Sequence, residues 1–229
     1  ELENCLSSGN QAIVFLNQRG YSKTVICTEC GYVQKCSSCD VSLTFHKEDN
    51  ALLCHYCGAK YKMIDACTEC GSPYIRYGGT GTERVVAELK KLYPSARILR
   101  MDRDSTQNKE GHFKILKEFS NKSADILVGT QMIAKGHDFP SVTLVGILDA
   151  DMSLHFSDYR SSERTFELIT QVAGRSGRAE EIGKVVLQTY SPEHPVLNRA
   201  IRYDYEGYYN HEVSIRKATG FPPFTDIIR

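Results

Sequence analysis

Four Cys-x-x-Cys pairs crowd into one short stretch of this 229-residue chain, and they constrain its folding more than any other feature. The pairs read CTEC, CSSC, CHYC and CTEC, and they hold eight of the nine cysteines, all between Cys27 and Cys70. The sequence has no apolar run long enough to span a membrane and no secretion signal at its start, so we expect a cytoplasmic location, where disulfides are rare. The cysteines therefore predict metal binding rather than disulfide bonds.

Eight thiolates are enough for two tetrahedral Zn²⁺ sites, with no coordination position left open for catalysis. We favour nested sites, because joining the first pair to the second would leave only five residues in which the chain must turn. The inner four then have the Cys-x2-Cys-x14-Cys-x2-Cys spacing of a zinc ribbon. An iron or redox centre is an alternative that colour and an electron paramagnetic signal after reduction would support. Site 1 comprises Cys27, Cys30, Cys67 and Cys70, and site 2 comprises Cys36, Cys39, Cys54 and Cys57.

The cysteine-rich segment, residues 25–73, is too short to build a large core, and bound zinc would replace the core that it lacks. The segment has four lysines, no arginine and six acidic residues, and each Zn(Cys)4 centre adds negative charge, which makes it a poor electrostatic clamp for DNA. Its aromatic residues could stack on unpaired bases or bind a partner, although packing of the small core is the interpretation that we favour. These residues are Tyr32, Phe45, Tyr56 and Tyr61.

Outside that segment, short apolar runs alternate with stretches of helical periodicity. QAIVFLN, ARILRMD, ADILVGT, VTLVGILDAD and KVVLQTY read as strands, whereas TERVVAELKKLYP, EGHFKILKEFS and SERTFELITQVAG place apolar residues at helical spacing. This alternation predicts an α/β fold with a parallel sheet covered on both faces. We expect one discontinuous domain, residues 1–24 and 74–219, interrupted by the insert at 25–73. A following domain would start at 220–229, after a glycine and two prolines.

Two further motifs carry residues that suit phosphate binding. GTQMIAKGHDF (residues 129–139) directly follows the strand ADILV, so its loop lies at the carboxyl edge of the sheet, where α/β folds bind ligands. QVAGRSGR (residues 171–178) presents two arginines behind glycines at the end of a helix. The acidic residues Asp149 and Asp151 also follow a strand, and we expect them to fix the turn there rather than to bind a metal.

Together the two motifs resemble motifs V and VI of superfamily 2 helicases, which belong to the second RecA-like lobe. NQRGY, GTERV, RMDRDST, LDADMSLHFSDYRSSERTFELITQVAGRSGR, QTYSPEHP and FPPF, with the four cysteine pairs, resemble the PriA family of bacterial replication-restart helicases from Asn17 onward. The resemblance implies a RecA-like lobe with a zinc-binding insert, from an ATP-driven enzyme that moves 3′ to 5′ on DNA and recognises stalled forks. It also implies ATP and Mg²⁺ as ligands, and primosome and single-strand-binding proteins as partners.

The resemblance also implies roles for individual residues. The arginines of motif VI would face the γ-phosphate of an ATP that the other lobe holds. The alternative is a structural role in which they brace the helix end against Glu163, Glu167 or Glu180. The implied sets are Gln171, Arg175 and Arg178 for catalysis, Gly136, Asp138, Gly174 and Gly177 for the nucleotide, Thr130, Gln131 and Lys135 for DNA, and the eight paired cysteines for zinc.

The sequence lacks two motifs that an ATPase of this class needs. Neither the phosphate loop G-x-x-x-x-G-K-[ST] nor the acidic D-E-x-[HD] occurs, so the residues that cradle ATP and Mg²⁺ are missing. We therefore expect an inactive fragment, without the amino-terminal half of the enzyme and most of its carboxyl-terminal domain. A rival interpretation is a non-catalytic zinc adaptor that keeps a RecA-like scaffold for protein binding. Basic and acidic residues both number 28, so overall charge gives no support for nucleic-acid binding.

Overall fold

The computed structural model describes residues 1–17, 24–46, 49–78, 81–102, 109–133, 139–156, 158–175 and 183–227. In chain order the elements are α1 Leu2–Ser7, β1 Gln11–Leu16, β2 Val25–Cys27, β3 Thr44–His46, β4 Ala51–Leu53, β5 Lys60–Tyr61, β6 Ile75–Tyr77, α2 Thr82–Leu92, β7 Ile98–Met101, α3 Lys109–Ser120, β8 Ile126–Gly129, β9 Val142–Leu148, a 3-10 helix Met152–His155, α4 Ser161–Ala173, β10 Lys184–Leu187, α5 Pro195–Ile201 and α6 Tyr205–Thr219.

Five parallel strands form the central sheet in the order β10-β9-β1-β8-β7. β1 lies in the middle, where it pairs with β8 on one side and with β9 on the other. All of β1 is buried, and its side chains alternate between two apolar cores: Ile13 and Phe15 join one, whereas Val14 and Leu16 join the other. The predicted α/β fold, with a parallel sheet buried on both faces, is confirmed.

Helices provide the apolar cover on each face of the sheet. Val85 of α2 packs into the core around Val14, with Leu89 one turn further along the same helical stripe. On the other face, α3 contributes Phe119 and α4 contributes Phe166 to the core around Phe15. The helical stretches that the sequence predicted therefore lie where a doubly covered sheet needs them.

The cysteine-rich insert leaves the lobe after β1, returns before α2, and forms two small antiparallel sheets. β3, β4 and β5 make one sheet, and β2 pairs with β6 in the other. Leu43 and Leu52 are buried at the centre of its core, with Phe45, Tyr61 and Tyr77 packed against them. Because β6 lies beyond residue 73, the pairing that closes the insert extends past its predicted end. The domain bounds stay a prediction.

The last two helices, α5 and α6, extend the helical layer beside α4. Phe166 of α4 stacks on Tyr208 of α6 with ring centroids 4.3 Å apart, and Arg216 of α6 binds Glu163 of α4 at 2.6 Å. α6 ends at Gly220, whose φ of 67° lies in the left-handed region that favours glycine. In the described part of the chain, no helix is both long and apolar enough to cross a bilayer.

Candidate metal centres and helicase motifs

Each Cys-x-x-Cys pair folds into the same tight turn. The N–H of the residue after the pair donates to the carbonyl of the first cysteine at 2.8–3.0 Å, and the N–H of the first cysteine donates five residues ahead at 2.8–2.9 Å. The residue after the pair has a positive φ in all four turns, a conformation that glycine adopts without steric cost and aspartate tolerates. This explains why the pairs continue as CTECG, CSSCD, CHYCG and CTECG. The positive-φ residues are Gly31, Asp40, Gly58 and Gly71.

The eight thiols gather into two groups of four, and within each group all Sγ atoms lie within 4.8 Å of one another. The grouping is nested. The Cys27–Cys70 and Cys30–Cys67 Sγ distances are both 3.7 Å. A tetrahedral zinc ion with Zn–S bonds of about 2.3 Å has sulfur–sulfur edges of about 3.8 Å, so the residues present fit two zinc ions. The outer group is Cys27, Cys30, Cys67 and Cys70, and the inner group is Cys36, Cys39, Cys54 and Cys57.

Tyr61, at the end of β5, supports the inner group with a hydrogen bond. Its hydroxyl lies 3.1 Å from Sγ of Cys36 and accepts from the backbone N–H of Ser37 at 3.2 Å. The hydroxyl's bond to the sulfur outweighs the effect of burial and lowers the pKa of Cys36 to about 6. Sequence reasoning assigned Tyr61 to the core but missed this bond, because nothing in the cysteine spacing points to a partner.

The pKa values of two further thiols, one in each group, indicate why each group needs a cation. Burial acts to raise the pKa of Cys27, but backbone N–H groups that donate to its sulfur outweigh it and lower the pKa to about 7. A bond to Cys57, together with burial, raises the pKa of Cys39 to about 12. Without metal, one thiolate in each group thus forms easily while a neighbour holds its proton. Removing all four protons requires a positive ion at the centre, as zinc binding provides.

The aromatic residues of the insert divide between core and surface. Phe45 packs in the core with its ring centroid 5.3 Å from that of Tyr77, and Tyr61 packs beside it. Tyr32 is partly buried. Tyr56, in contrast, is 81% exposed. The core-packing prediction is therefore right for Phe45 and Tyr61 and wrong for Tyr56, which lies in the turn between Cys54 and Cys57.

The insert docks on the lobe through Arg76 of β6. Both Nη atoms of Arg76 donate to Oδ1 of Asp149 at 3.0 Å, and its guanidinium lies 5.2 Å from the ring centre of Tyr190. The sequence analysis missed this contact, because it placed the end of the insert at residue 73 and Arg76 lies beyond that end. An apolar cluster lies beside the ion pair and comprises Ile26 and Val33 from the insert with Met152 and Tyr190 from the lobe.

Two closer contacts fix the orientation of the docked insert. The hydroxyl of Ser42 donates to the carbonyl of His155 at 2.7 Å. A Cβ added to Gly31 would lie 2.7 Å from the carbonyl oxygen of Tyr190, closer than such atoms can approach. The first cysteine turn thus touches the lobe directly, and only glycine fits there.

Asp149 and Asp151 both hold the carboxyl edge of the sheet together. Asp151 is fully buried and accepts from the hydroxyl of Thr189 and the N–H of Tyr190, both at 2.9 Å. The N–H of Asp149 donates to Oε1 of Gln188 at 2.8 Å. The predicted structural role agrees with these contacts. These hydrogen bonds, however, join the acids to residues 188–190, which directly follow the neighbouring strand β10, rather than to the turn in which the acids lie.

Motif V follows β8 at the carboxyl edge of the sheet. A Cβ at Gly129 would lie 2.2 Å from the carbonyl oxygen of Met101, so the strand end must be glycine. Thr130 and Gln131 come next and are both partly buried. The other predicted residues of this motif, Lys135, Gly136 and Asp138, lie outside the described residues.

Motif VI begins in the last turn of α4. Backbone hydrogen bonds of 3.0 and 3.1 Å to that turn hold Gly174 and Arg175 directly after the helix. Gln171 is exposed and Arg175 is partly buried. Gln171, Gly174 and Arg175 thus lie at the same end of α4, within about one helical turn of one another, whereas Gly177 and Arg178 lie outside the described residues.

Glu163 is in the wrong place to brace Arg175. It lies in the first turn of α4, and Arg175 follows the last turn, roughly 15 Å or more away at 1.5 Å per residue. The carboxylate of Glu163 is instead bound by Arg216 at 2.6 Å, and Arg216 also binds Glu212 at 3.0 Å. Of the three glutamates in the bracing alternative, Glu163 is therefore excluded as a partner of Arg175, and Glu180 lies outside the described residues.

Comparison with known proteins gives matches across the chain. The profile of the PriA DNA helicase Cys-rich region (CRR) domain matches residues 36–62, and that of the helicase conserved C-terminal domain matches residues 79–180. The chain is 51% identical over 224 residues to replication restart protein PriA of Bacillus subtilis, covering 98% of this chain and 28% of that protein. It is 44% identical over 226 residues to replication restart protein PriA of Chlamydia pneumoniae, covering 98% and 30%.

The chain spans less than a third of the length of these two relatives. Among solved structures, the C-terminal domain of the DEAD-box protein Dbp5 aligns with 89% of this chain and 77% of that one, at 12% identity and a TM-score of 0.44. That likeness is too distant to support an assignment. The sequence matches, in contrast, include both the cysteine-rich segment and the two helicase motifs.

Proposed function

Because the chain belongs to the PriA family of replication restart proteins over the segment that it spans, we propose that it is the second motor lobe, with its zinc-binding insert, of an ATP-dependent DNA helicase. The observation that carries this proposal is the 51% identity over 98% of the chain, which includes the cysteine pairs and both helicase motifs. The whole enzyme would move 3′ to 5′ on DNA and restart replication at abandoned forks. Its place would be the bacterial cytoplasm, on the nucleoid.

In this proposal, Arg175 and Arg178 complete an ATP site whose phosphate loop belongs to the other lobe. ATP with Mg²⁺ supplies the phosphoryl group that is transferred to water. The arginines stabilise the charge that develops on that group, and they reach it only when the two lobes close. Support comes from the position of Arg175 directly after α4, at the far end of the helix from Glu163. Gln171 would assist the same reaction, and Gly136, Asp138, Gly174 and Gly177 would bind the nucleotide.

Two zinc ions bind in the insert in this proposal, one in each group of four cysteines. Four thiolates fill a tetrahedral ion completely, so the sites hold structure and leave no position for a substrate. The fit of the sulfur–sulfur distances to a tetrahedral edge and the match to the Cys-rich region profile support zinc. The ion pair between Arg76 and Asp149 then fixes the zinc-stabilised insert to the carboxyl edge of the lobe's sheet.

DNA contacts in this proposal come from motif V. Thr130 and Gln131, at the carboxyl edge of the sheet, would bind the sugar-phosphate backbone together with Lys135, while the acidic insert adds little attraction for DNA. Such contacts position the strand without reading its sequence. Branched forks and single strands are the nucleic-acid partners, and primosome and single-strand-binding proteins are the protein partners.

The proposal is tested by comparing this chain alone with the full-length protein that contains it. The chain alone should hydrolyse no ATP, because it lacks the phosphate loop. The full-length protein should show ATPase activity that single-stranded DNA stimulates, and it should unwind forks with 3′ to 5′ polarity. A full-length protein that folds and binds zinc but turns over no ATP with DNA present would favour the non-catalytic adaptor instead.

A further inference from the structure

Two histidines of the insert point nitrogen atoms at each other on its surface, outside both cysteine groups. Nε2 of His46 and Nε2 of His55 are 3.1 Å apart. The ring centroids are 5.1 Å apart and the rings are tilted by 52°, so the rings do not stack face to face. The polar contact is therefore between two ring nitrogens, the atoms with which histidine binds metals.

The distance between the nitrogens suits two ligands of one metal ion. Zn–N bonds of about 2.0–2.1 Å at tetrahedral angles place two nitrogens about 3.3–3.4 Å apart. A square-planar ion such as Cu²⁺ or Ni²⁺ would bring neighbouring nitrogens slightly closer than the tetrahedral zinc ion does. The observed 3.1 Å therefore needs a shift of only a few tenths of an ångström to accept zinc.

The backbone that carries the pair is held in place on both sides. His46 ends β3, where it pairs with Ala51 of β4, and His55 follows Cys54 inside a cysteine turn of the inner group. Cys54 itself is fully buried. Zinc in the inner group therefore also fixes the position of His55, so little ordering remains to be done when a further ion binds.

We propose that His46 and His55 form a third metal site, which binds Zn²⁺ or a related divalent transition ion reversibly. Among the described residues, the groups of three or more metal-binding side chains are the two cysteine groups, so water completes the coordination here. The site is therefore open and exchangeable, in contrast to the closed cysteine sites. The bound ion would tie the β3–β4 hairpin to the turn that holds Cys54 and Cys57.

Binding of a metal ion by the two histidines requires one ring proton to move. In the metal-free pair one Nε2–H donates to the other Nε2, whereas an ion needs a lone pair from both nitrogens. The donor ring moves its proton from Nε2 to Nδ1 through solvent and stays neutral. Two N–metal bonds then form, four of the six waters of hydrated Zn²⁺ leave to give a tetrahedral ion that keeps two waters, and no net proton is released.

The test begins with the chain saturated with zinc and dialysed until only tightly held metal remains. Calorimetric titration with ZnCl₂ should show one further, weaker equivalent, and ring NMR signals of His46 and His55 should shift as it binds. His46→Ala and His55→Ala should each remove that equivalent while keeping the tightly held zinc of the cysteine sites, which reports that they are folded. His211→Ala, a change in α6, should leave the added equivalent unchanged.

Two results would overturn this third site. One is a zinc-saturated chain that binds no further equivalent. The other is an added equivalent that survives in both His46→Ala and His55→Ala, which would place it elsewhere on the surface. Neither result bears on the proposed helicase function, because the cysteine sites and the motif residues are untouched in these variants.

Discussion

Arg76 and Asp149 join the insert to the lobe: both Nη atoms of the arginine lie 3.0 Å from one carboxylate oxygen of the aspartate. The pair is mostly buried, with 22% of the arginine side chain and 9% of the aspartate side chain exposed. The two residues are 73 positions apart, and Asp149 follows the strand β9. The zinc-binding insert is thus fixed to the carboxyl edge of the sheet rather than attached only through its two chain connections.

Arg76→Ala should lower the free energy of unfolding by about 2–4 kcal/mol, because it leaves the carboxylate of Asp149 buried without its charged partner. Urea denaturation of the zinc-loaded chain measures the change. Lys35→Ala, which removes an exposed insert pair with Asp40, should cost less than about 1 kcal/mol. Equal losses in the two variants would show that Arg76 adds nothing to docking.

Cys36→Ser should release the inner zinc and leave most of the outer zinc bound, because the thiol groups are nested. Metal analysis after dialysis should therefore give about one ion per chain. Cys54→Ser should affect the same ion as Cys36→Ser, and Cys27→Ser the other. If Cys36→Ser and Cys27→Ser disturb one and the same ion, the sites are sequential and the nesting is wrong.

Tyr61→Phe should weaken the inner zinc site, because the hydroxyl that lowers the pKa of Cys36 to about 6 is removed. The pKa of Cys36 then rises towards its ordinary value of 9.0, so at any pH between these values less thiolate is present. Protons compete better with zinc, and zinc should be released at a higher pH, with an affinity loss of about 10–100-fold.

A chelator that changes colour on binding zinc can follow this release as the pH is lowered. Tyr56→Phe is the matched control, since Tyr56 lies in the inner cysteine turn but is 81% exposed. It should release zinc at the same pH as the unchanged chain. If the Tyr61→Phe curve overlays those of the unchanged chain and Tyr56→Phe, the hydroxyl of Tyr61 does not contribute to zinc binding.

Single-stranded DNA should bind this chain weakly and with strong salt dependence, since phosphate contacts near motif V provide the attraction. Lys135→Ala should reduce the slope of log affinity against log salt by about 0.7, the value of one lost contact to a single strand. Lys217→Ala, near the end of α6, should leave the slope unchanged. Tight, salt-insensitive binding by the insert alone would contradict this account.

The sequence predicts the sheet and the thiol grouping because both depend on local patterns. QAIVFLN becomes the fully buried central strand β1, and the short five-residue connection between Cys30 and Cys36 favours the nested grouping over the sequential one. Helix α1, Leu2–Ser7, was missed, because six residues are too short for helical periodicity to be recognised.

The contacts that position the insert could not be predicted in the same way. Tyr61 meets Cys36 across 25 residues, and Arg76 meets Asp149 across 73. No local pattern marks such pairs, since they depend on how the small sheets of the insert pack and dock. The exposure of Tyr56 depends on the same packing. A tyrosine is apolar enough to pack in a core, but the turn that holds Tyr56 faces solvent.

The central claim is that motif VI supplies arginines to an ATP held by the other lobe. The measurement that tests it most directly is DNA-stimulated ATP hydrolysis by the full-length protein carrying Arg178→Ala. The rate should fall by roughly two to four powers of ten, because charge on the transferred phosphoryl group is no longer stabilised, while nucleotide affinity falls much less. Arg178→Lys should recover little, since an ammonium lacks the planar fork of a guanidinium, and Arg202→Ala in the exposed turn after α5 should keep full activity. Near-normal turnover in Arg178→Ala would contradict the claim and favour a bracing role for the arginine.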